Sequence, residues 1–173
     1  MSNTSWIRTY TGKKINPLDP DPMSICIEDI AHALSNQCRF SGHVQRFYSV
    51  AEHSVRVSNI VQTHRGLMHD AAEAYLVDLP RPLKHHWLFG FFYRRIEKRV
   101  ERIIMERFNL QVEQPESVSV ADDILLMTEE RDLMRGSSTW KLIKDVQPLK
   151  EPIVPWHPEY AEYMFLQQWI NLR

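Results

Sequence analysis

The sequence predicts an all-α protein folded as a single helical domain, and three observations carry that expectation. Apolar residues recur in steps of three and four along successive stretches, the spacing of one helix face. These stretches are separated by Pro- and Gly-containing links such as Asp78-Leu-Pro-Arg-Pro82 and Gly136-Ser-Ser-Thr139, where missing amide donors and turn-forming residues interrupt a helix. A chain of 173 residues with 43% hydrophobic content and 5 Gly suffices for one continuous core and is short for two.

Residues 1–24 read as an arm ahead of the helical core of 25–173. The run Asn16-Pro-Leu-Asp-Pro-Asp-Pro22 fixes φ and removes donors repeatedly, so an ordered arm or loop is expected there, not a helix. Ser24 offers an N-cap for a helix over about 26 to 37, with Ile25, Ile27, Ile30, Ala31 and Leu34 as its apolar stripe. Residues 39–48 mix aromatic and basic side chains around Gly42 and read as a looped link polar enough to line a site. From Ser49, the steps Val50, His53, Val57, Ile60, Val61 define the next helix. It is expected to end near 64–66, with His53 on its inward side.

Another helix is expected from Leu67 to about Leu76, stopped by the prolines after Asp78. A long helix over about 91 to 108 has Phe92, Ile96, Val100, Ile103 and Ile104 as its buried stripe. Arg94, Arg95, Lys98, Arg99 and Arg102 then fall on wet faces, as a solvated surface. A helix from Pro115 to about Met134 packs through Val118, Ala121, Ile124, Leu125 and Thr128, and also carries Asp122, Asp123, Glu129 and Glu130. A last helix over about 159 to 172 packs Tyr160, Met164, Leu166 and Trp169. The total is about six helices, with Trp6, Trp87, Trp140, Trp156 and Trp169 expected in the core or an interface.

Charge narrows the function. With 21 Lys and Arg against 22 Asp and Glu, the overall field calls for neither a nucleic-acid polymer nor an anionic membrane. Cys26 and Cys38 have neither zinc-site spacing nor the number of a disulfide scaffold, so buried, reduced thiols are expected. The N-terminus lacks a basic segment followed by an apolar run, and no stretch approaches ~20 apolar residues. A cytoplasmic protein is the expectation.

The chemistry concentrates in residues 66–84. His69-Asp70 is followed by Glu73 and Asp78, more hard-ligand groups than one helical turn normally carries. His53 lies 16 residues before His69, and a helical hairpin would bring the two imidazoles together. Adjacent helix residues point about 100° apart, so His69 and Asp70 can share an ion only off the helix flank. Asp122, on the inner face of a later helix, is the best-placed fourth ligand, with Asp123 as its competitor. Two imidazoles and two carboxylates suit Zn, Co, Mn, Fe or Mg and leave coordination open for water and a phosphoryl oxygen. Each group also has a structural reading: His53 as a core histidine, Asp78 as a turn residue, Arg39 as surface, Phe40 as core. His43, His85, His86 and His157 are read as non-ligands.

The order His53, His69-Asp70, Asp122 resembles the H…HD…D signature of the HD-domain metal-dependent phosphohydrolases. Ser49-Val-Ala-Glu-His-Ser54, with Glu73, Asp78 and the Leu79-Pro-Arg-Pro82 segment at matching offsets, resembles their 5′-deoxynucleotidase branch over roughly residues 36 to 135. The arm from Trp6, the stretch 38–43 and the Pro155-Trp-His-Pro158 ending look like short phage-type members. Some of these are similar to the dATP triphosphohydrolases of phages that replace adenine by 2-aminoadenine.

The resemblance implies an HD-domain helical bundle. It implies His53, His69, Asp70 and Asp122 as ligands of a divalent metal (Zn, Co, Mn or Mg), Glu73 as the acid-base residue, and Asp78 as a second acid beside the phosphate. It further implies Arg39 as a phosphate grip, Phe40 as an aromatic packing on the sugar, and Lys84 as a phosphate contact. Leu76 departs from the branch, which has threonine between its two acids. The implied reaction hydrolyses the 5′-phosphate ester of a deoxynucleotide, foremost dATP and also dADP or dAMP, releasing deoxyadenosine. A 5′-deoxynucleotidase acting on monophosphates and a non-catalytic nucleotide-binding module are the alternatives. The implied setting is a homo-oligomer in the cytoplasm, that of the host if phage-encoded.

Overall fold

The computed structural model describes residues 5–136 and 146–172. Within them the protein is all-α, with eight helices and one two-stranded ribbon. The arm before residue 25 is ordered, as its prolines require, but it is not entirely loop. Ile7–Arg8 (β1) pairs antiparallel with Lys14–Ile15 (β2), and Gly12 at φ +85° lets the chain reverse between them. Asp29 accepts from the Thr11 amide at 2.7 Å and its hydroxyl at 2.9 Å, tying the ribbon to the first helix. That helix, α1, is Ile27–Ser35. Ser24 does not cap it: Ser24 closes a 3-10 turn and donates its hydroxyl to the Asp21 carbonyl, and Cys26 takes the N-cap place without a side-chain bond to a helix amide, its thiol donating to Asp29 Oδ2 instead.

The central element is α2, Val50–Val61. The Ser49 hydroxyl oxygen accepts from the Glu52 amide at 3.0 Å, an N-cap that satisfies one of the orphan donors of the first turn. Helix α2 ends earlier than the spacing predicts, because Gln62 turns left-handed at φ 54°. Thr63 then caps a single new turn, α3, His64–Leu67, through the Gly66 amide. Gly66 therefore serves close approach instead of chain reversal: a Cβ there would lie 2.5 Å from Val61 Cγ2. Of the helix expected over 67–76, only the last residue of α3, Leu67, and α4, Glu73–Leu76, are helical. Between them, i→i+3 bonds such as Ala71 N to Met68 O and Glu73 N to Asp70 O hold tight turns. Such turns keep a near-helical spacing, so Leu67, Met68, Ala71, Ala72 and Tyr75 all reach the core.

After α5, Arg81–Lys84, the long α6 runs Phe89–Arg107. Val100 and Ile104 are buried as the stripe predicts and Ile96 and Ile103 pack half-buried against them, but Phe92 is 59% exposed. The first turns of α6 pack on α5 and not on the core. Helix α7, Glu116–Leu133, buries Val118, Ala121, Leu125 and Thr128, with Ile124 half-buried. Helix α8, Pro158–Asn171, buries Ala161, Phe165 and Trp169. Tyr160, expected inside, is 49% exposed, and Phe165 takes the fully buried place. Residues 137–139 of the predicted break, and Trp140, lie outside the described residues.

Helices α1, α3, α7 and α8 pack around α2, so whatever α2 points inward is held from several sides. Cys26 and Cys38 are free thiols, half-buried. Among the described residues no helix is long and apolar enough to cross a membrane.

Candidate functional site

His53 projects from the inner face of α2 into the space between α3, the turn after it, and α7. Its Nε2 lies 3.1 Å from His69 Nε2, 3.2 Å from Asp122 Oδ1 and 3.6 Å from Asp70 Oδ2. Its Nδ1 is 2.6 Å from Glu129 Oε1 on α7. His69 Nδ1 is 2.8 Å from the Gly66 carbonyl and its Nε2 is 3.2 Å from Asp70 Oδ2. One ligand atom from each of His53, His69 and Asp70 lies within 4.8 Å of the others. The structure thus groups three of the four residues singled out as metal ligands, and the fourth, Asp122, borders the group through His53 Nε2.

The tautomers follow from the partners. A backbone carbonyl only accepts, and so does an ionised carboxylate, so both Nδ1 atoms are donors and each neutral ring presents a lone pair at Nε2. Two lone pairs facing each other at 3.1 Å, beside two carboxylates, repel unless a positive charge sits among them. A divalent cation fits that donor set, and the Nδ1 partners fix ring orientation in the manner of metal-binding histidines.

Proton affinities report the same demand. Burial and the Arg39 charge oppose an imidazolium at His53, yet Glu129 and Asp122 outweigh them and push its pKa up to about 9. Burial opposes ionisation of Asp70 and Asp122 too, but the two imidazoles hold both below the usual carboxylate range, Asp122 at about 2. Arg39 closes the far side. Its Nη2 is 3.2 Å from Glu129 Oε2 and its Nη1 is 3.5 Å from Asp70 Oδ2, while its buried Nε has no hydrogen-bond partner among the described residues. Against burial, Arg39 and His53 hold Glu129 ionised.

Glu73 opens α4, one tight turn after Asp70. Burial foremost, then the charges of Asp70 and Asp78, push its pKa up to about 8, so it keeps its proton at neutral pH. Oε1 lies 3.2 Å from Lys84 Nζ, and the buried Oε2 has no hydrogen-bond partner among the described residues. Asp78 lies in the link beyond α4, half-buried, and acts on this group through its charge without joining the atoms around the two Nε2. Gln37 ties the two together by donating to the Glu73 carbonyl at 3.0 Å and accepting from the Asp78 amide at 3.3 Å. Val77, just before Asp78, sits at φ 73°, a strained conformation for a β-branched residue. Phe40, also left-handed at φ 53°, lies 5.3 Å from the Arg39 guanidinium and outside the cluster. His43, His85, His86 and His157 are exposed.

Glu129 was missed as a functional residue by sequence reasoning, although one signal was present: it follows Asp122 by seven residues, two turns along the same face of α7. Gln37 carried no such signal, because a loop-bridging amide has no characteristic spacing.

The chain is 39% identical over 179 residues to the uncharacterized protein YfdR of Escherichia coli (strain K12), an alignment spanning 97% of this chain and 96% of that protein. It is 34% identical over 129 residues to the uncharacterized protein RCAP_rcc00048 of Rhodobacter capsulatus, spanning 68% of this chain and 65% of that protein. No protein-family model matches the chain.

Proposed function

This chain belongs to the same protein family as YfdR of E. coli, and we propose that it is a metal-dependent phosphohydrolase of HD-domain type that cleaves the 5′-phosphate ester of deoxynucleotides, foremost dATP. The observation that carries the reading is the pair of imidazoles turned Nε2 to Nε2 by Glu129 and the Gly66 carbonyl, with Asp70 and Asp122 beside them. His53, His69, Asp70 and Asp122 would hold the divalent ion, which would supply positive charge to the phosphoryl oxygens and acidify the attacking water.

The chain's own residues account for the rest of the reaction. Arg39, beside Asp70, and Lys84, beside Glu73, would supply donors for the equatorial oxygens, whose growing charge dominates such transition states. Glu73, protonated at neutral pH and with no hydrogen-bond partner for Oε2 among the described residues, would give its proton to the departing 5′-oxygen. Phe40, packed beside Arg39, would lie against the sugar in this reading. Homo-oligomerisation belongs to the same reading, and the exposed run Trp87, Leu88, Phe89, Phe91 and Phe92 supplies an apolar surface for it.

The test is product analysis after chelation, with each dNTP and dNMP in turn and Co, Mn, Zn or Mg added back. Deoxyadenosine released from dATP, and lost in His69→Ala and Asp70→Ala proteins that still fold, is the expected result. Absence of product under every metal would overturn the reading.

A further inference from the structure

Helix α6 carries a polar stripe that the proposed reaction does not itself use. Gly90, Tyr93, Arg94 and Glu97 fall at i, i+3, i+4 and i+7, one face of the helix. All four touch the segment that carries Asp78 and Lys84. Tyr93 Oη donates to the Val77 carbonyl at 2.7 Å, at the strained residue that precedes Asp78. Arg94 donates to the Lys84 carbonyl. The Gly90 amide donates to His86 O at 2.9 Å, and a Cβ on Gly90 would lie 2.0 Å from Lys84 O, so no other residue allows this approach. Glu97 Oε1 takes the Lys84 ammonium at 2.9 Å.

We infer that Glu97 is a positioning residue for the phosphate: through Lys84, and with the rest of the α6 stripe as its frame, it aims an ammonium donor beside Glu73. The inference rests on the phosphohydrolase reading above and adds a residue to it. An ammonium has three donors and four flexible methylenes. Glu97 at 2.9 Å and Glu73 Oε1 at 3.2 Å engage two of the donors, which fixes the direction of the third. The side chains of Lys84 and Glu97 are only 21% and 20% exposed, so water does not readily substitute for either contact. Without Glu97 the ammonium keeps only the Glu73 carboxyl as a partner among the described residues, and the third donor is no longer aimed.

The experiment is a double-mutant cycle, Glu97→Ala, Lys84→Ala and both together, with Glu97→Gln as the conservative variant that keeps an acceptor oxygen. The measured quantities are kcat and KM for dATP and the rate of Lys84 acylation by an amine-reactive ester, read by mass spectrometry. Glu97→Ala is expected to lower kcat/KM by about 10-fold, mainly through KM, the size of one lost charge-assisted contact. It should have no further effect once Lys84 is Ala, Glu97→Gln should recover most of the loss, and Lys84 should acylate several-fold faster in Glu97→Ala. Equal losses from Glu97→Ala with and without Lys84, or unchanged acylation, would overturn the inference. If the wild-type protein turns over no nucleotide, the phosphohydrolase reading falls, and the acylation rates alone decide whether Glu97 holds Lys84.

Discussion

The buried carboxylate of Glu129 is where the site is most exposed to a single-atom change. Its two oxygens face different partners: Oε1 accepts from His53 Nδ1 at 2.6 Å, Oε2 lies 3.2 Å from Arg39 Nη2 as an ion pair, and the side chain has no solvent exposure. Glu129→Gln preserves shape but leaves one acceptor oxygen, so the amide NH2 must face either the imidazole N–H or the guanidinium. Leaving a buried charged donor unmatched costs about 3 kcal/mol, between the penalty for an unsatisfied group and that for a broken buried ion pair. For a chain of this length the melting temperature then falls by roughly 6 to 12 °C. His53 would also lose the partner that fixes its tautomer, a change that typically weakens metal binding by about 10- to 100-fold. Thermal melts in chelator and a competition titration against a chromophoric chelator measure the two effects separately. A variant within about 1 °C and twofold of wild type on both scales would refute the idea that Glu129 orients His53 and balances Arg39.

Other perturbations follow from the same geometry. Metal-free protein should lose stability as pH rises from about 4.5 to 9, because the raised pKa values of Glu73 (from 4.5 to about 8) and His53 (from 6.5 to about 9) give stabilisation that is complete below the unfolded values and lost through the folded ones. Added divalent metal should reverse that trend as His53 deprotonates, and a metal-free melting temperature that is flat or rising across this window sinks the argument. Gly66→Ala should destabilise by about 1 to 3 kcal/mol, since the new Cβ meets Val61 Cγ2 at 2.5 Å, and should weaken metal binding by moving the carbonyl that orients His69. Denaturant unfolding together with the same competition titration reads both. Phe165→Ala, far from the chemistry, should cost about 3 to 5 kcal/mol by chemical denaturation while leaving metal affinity per folded molecule unchanged.

The parts of this protein that periodicity controls were legible in its sequence. Long helices with one buried face, α6 and α7, lie within about two residues of their expected ends. His53 and Asp122 could be placed because each falls in such a stripe. The segment 62–76 was misread because its i→i+3 turns keep nearly the helical spacing of apolar residues, so continuous helix and broken helix bury the same side chains. Nothing in that spacing distinguishes Gly66 as a turn from Gly66 as a contact. Phe92 and Tyr160 were placed inside by the same reasoning, yet they sit where their helices run past the core, and the length of a core is a tertiary quantity. Glu129 and Gln37 act through partners 76 and 36 residues away, His53 and Glu73. Such separations carry no local period.

Charge counting predicts how many ions the inner site takes. Around the two imidazoles stand three carboxylates held ionised against burial, Asp70 and Asp122 near Nε2 and Glu129 at His53 Nδ1, and one guanidinium, Arg39. With neutral imidazoles, two negative charges remain in a space largely shielded from solvent, and a single divalent cation cancels them. Without metal, a proton on His53 cancels one, which is the physical reason its pKa climbs to about 9. A second divalent ion would find no such deficit, because Glu73 is protonated at neutral pH and Lys84 already faces it. Elemental analysis of protein dialysed against dilute metal at pH 7.5 should therefore return about one ion per chain. Two tightly held ions per chain would mean that Glu73 ionises and joins the ligands, which would remove it from the proton-donor role proposed for it.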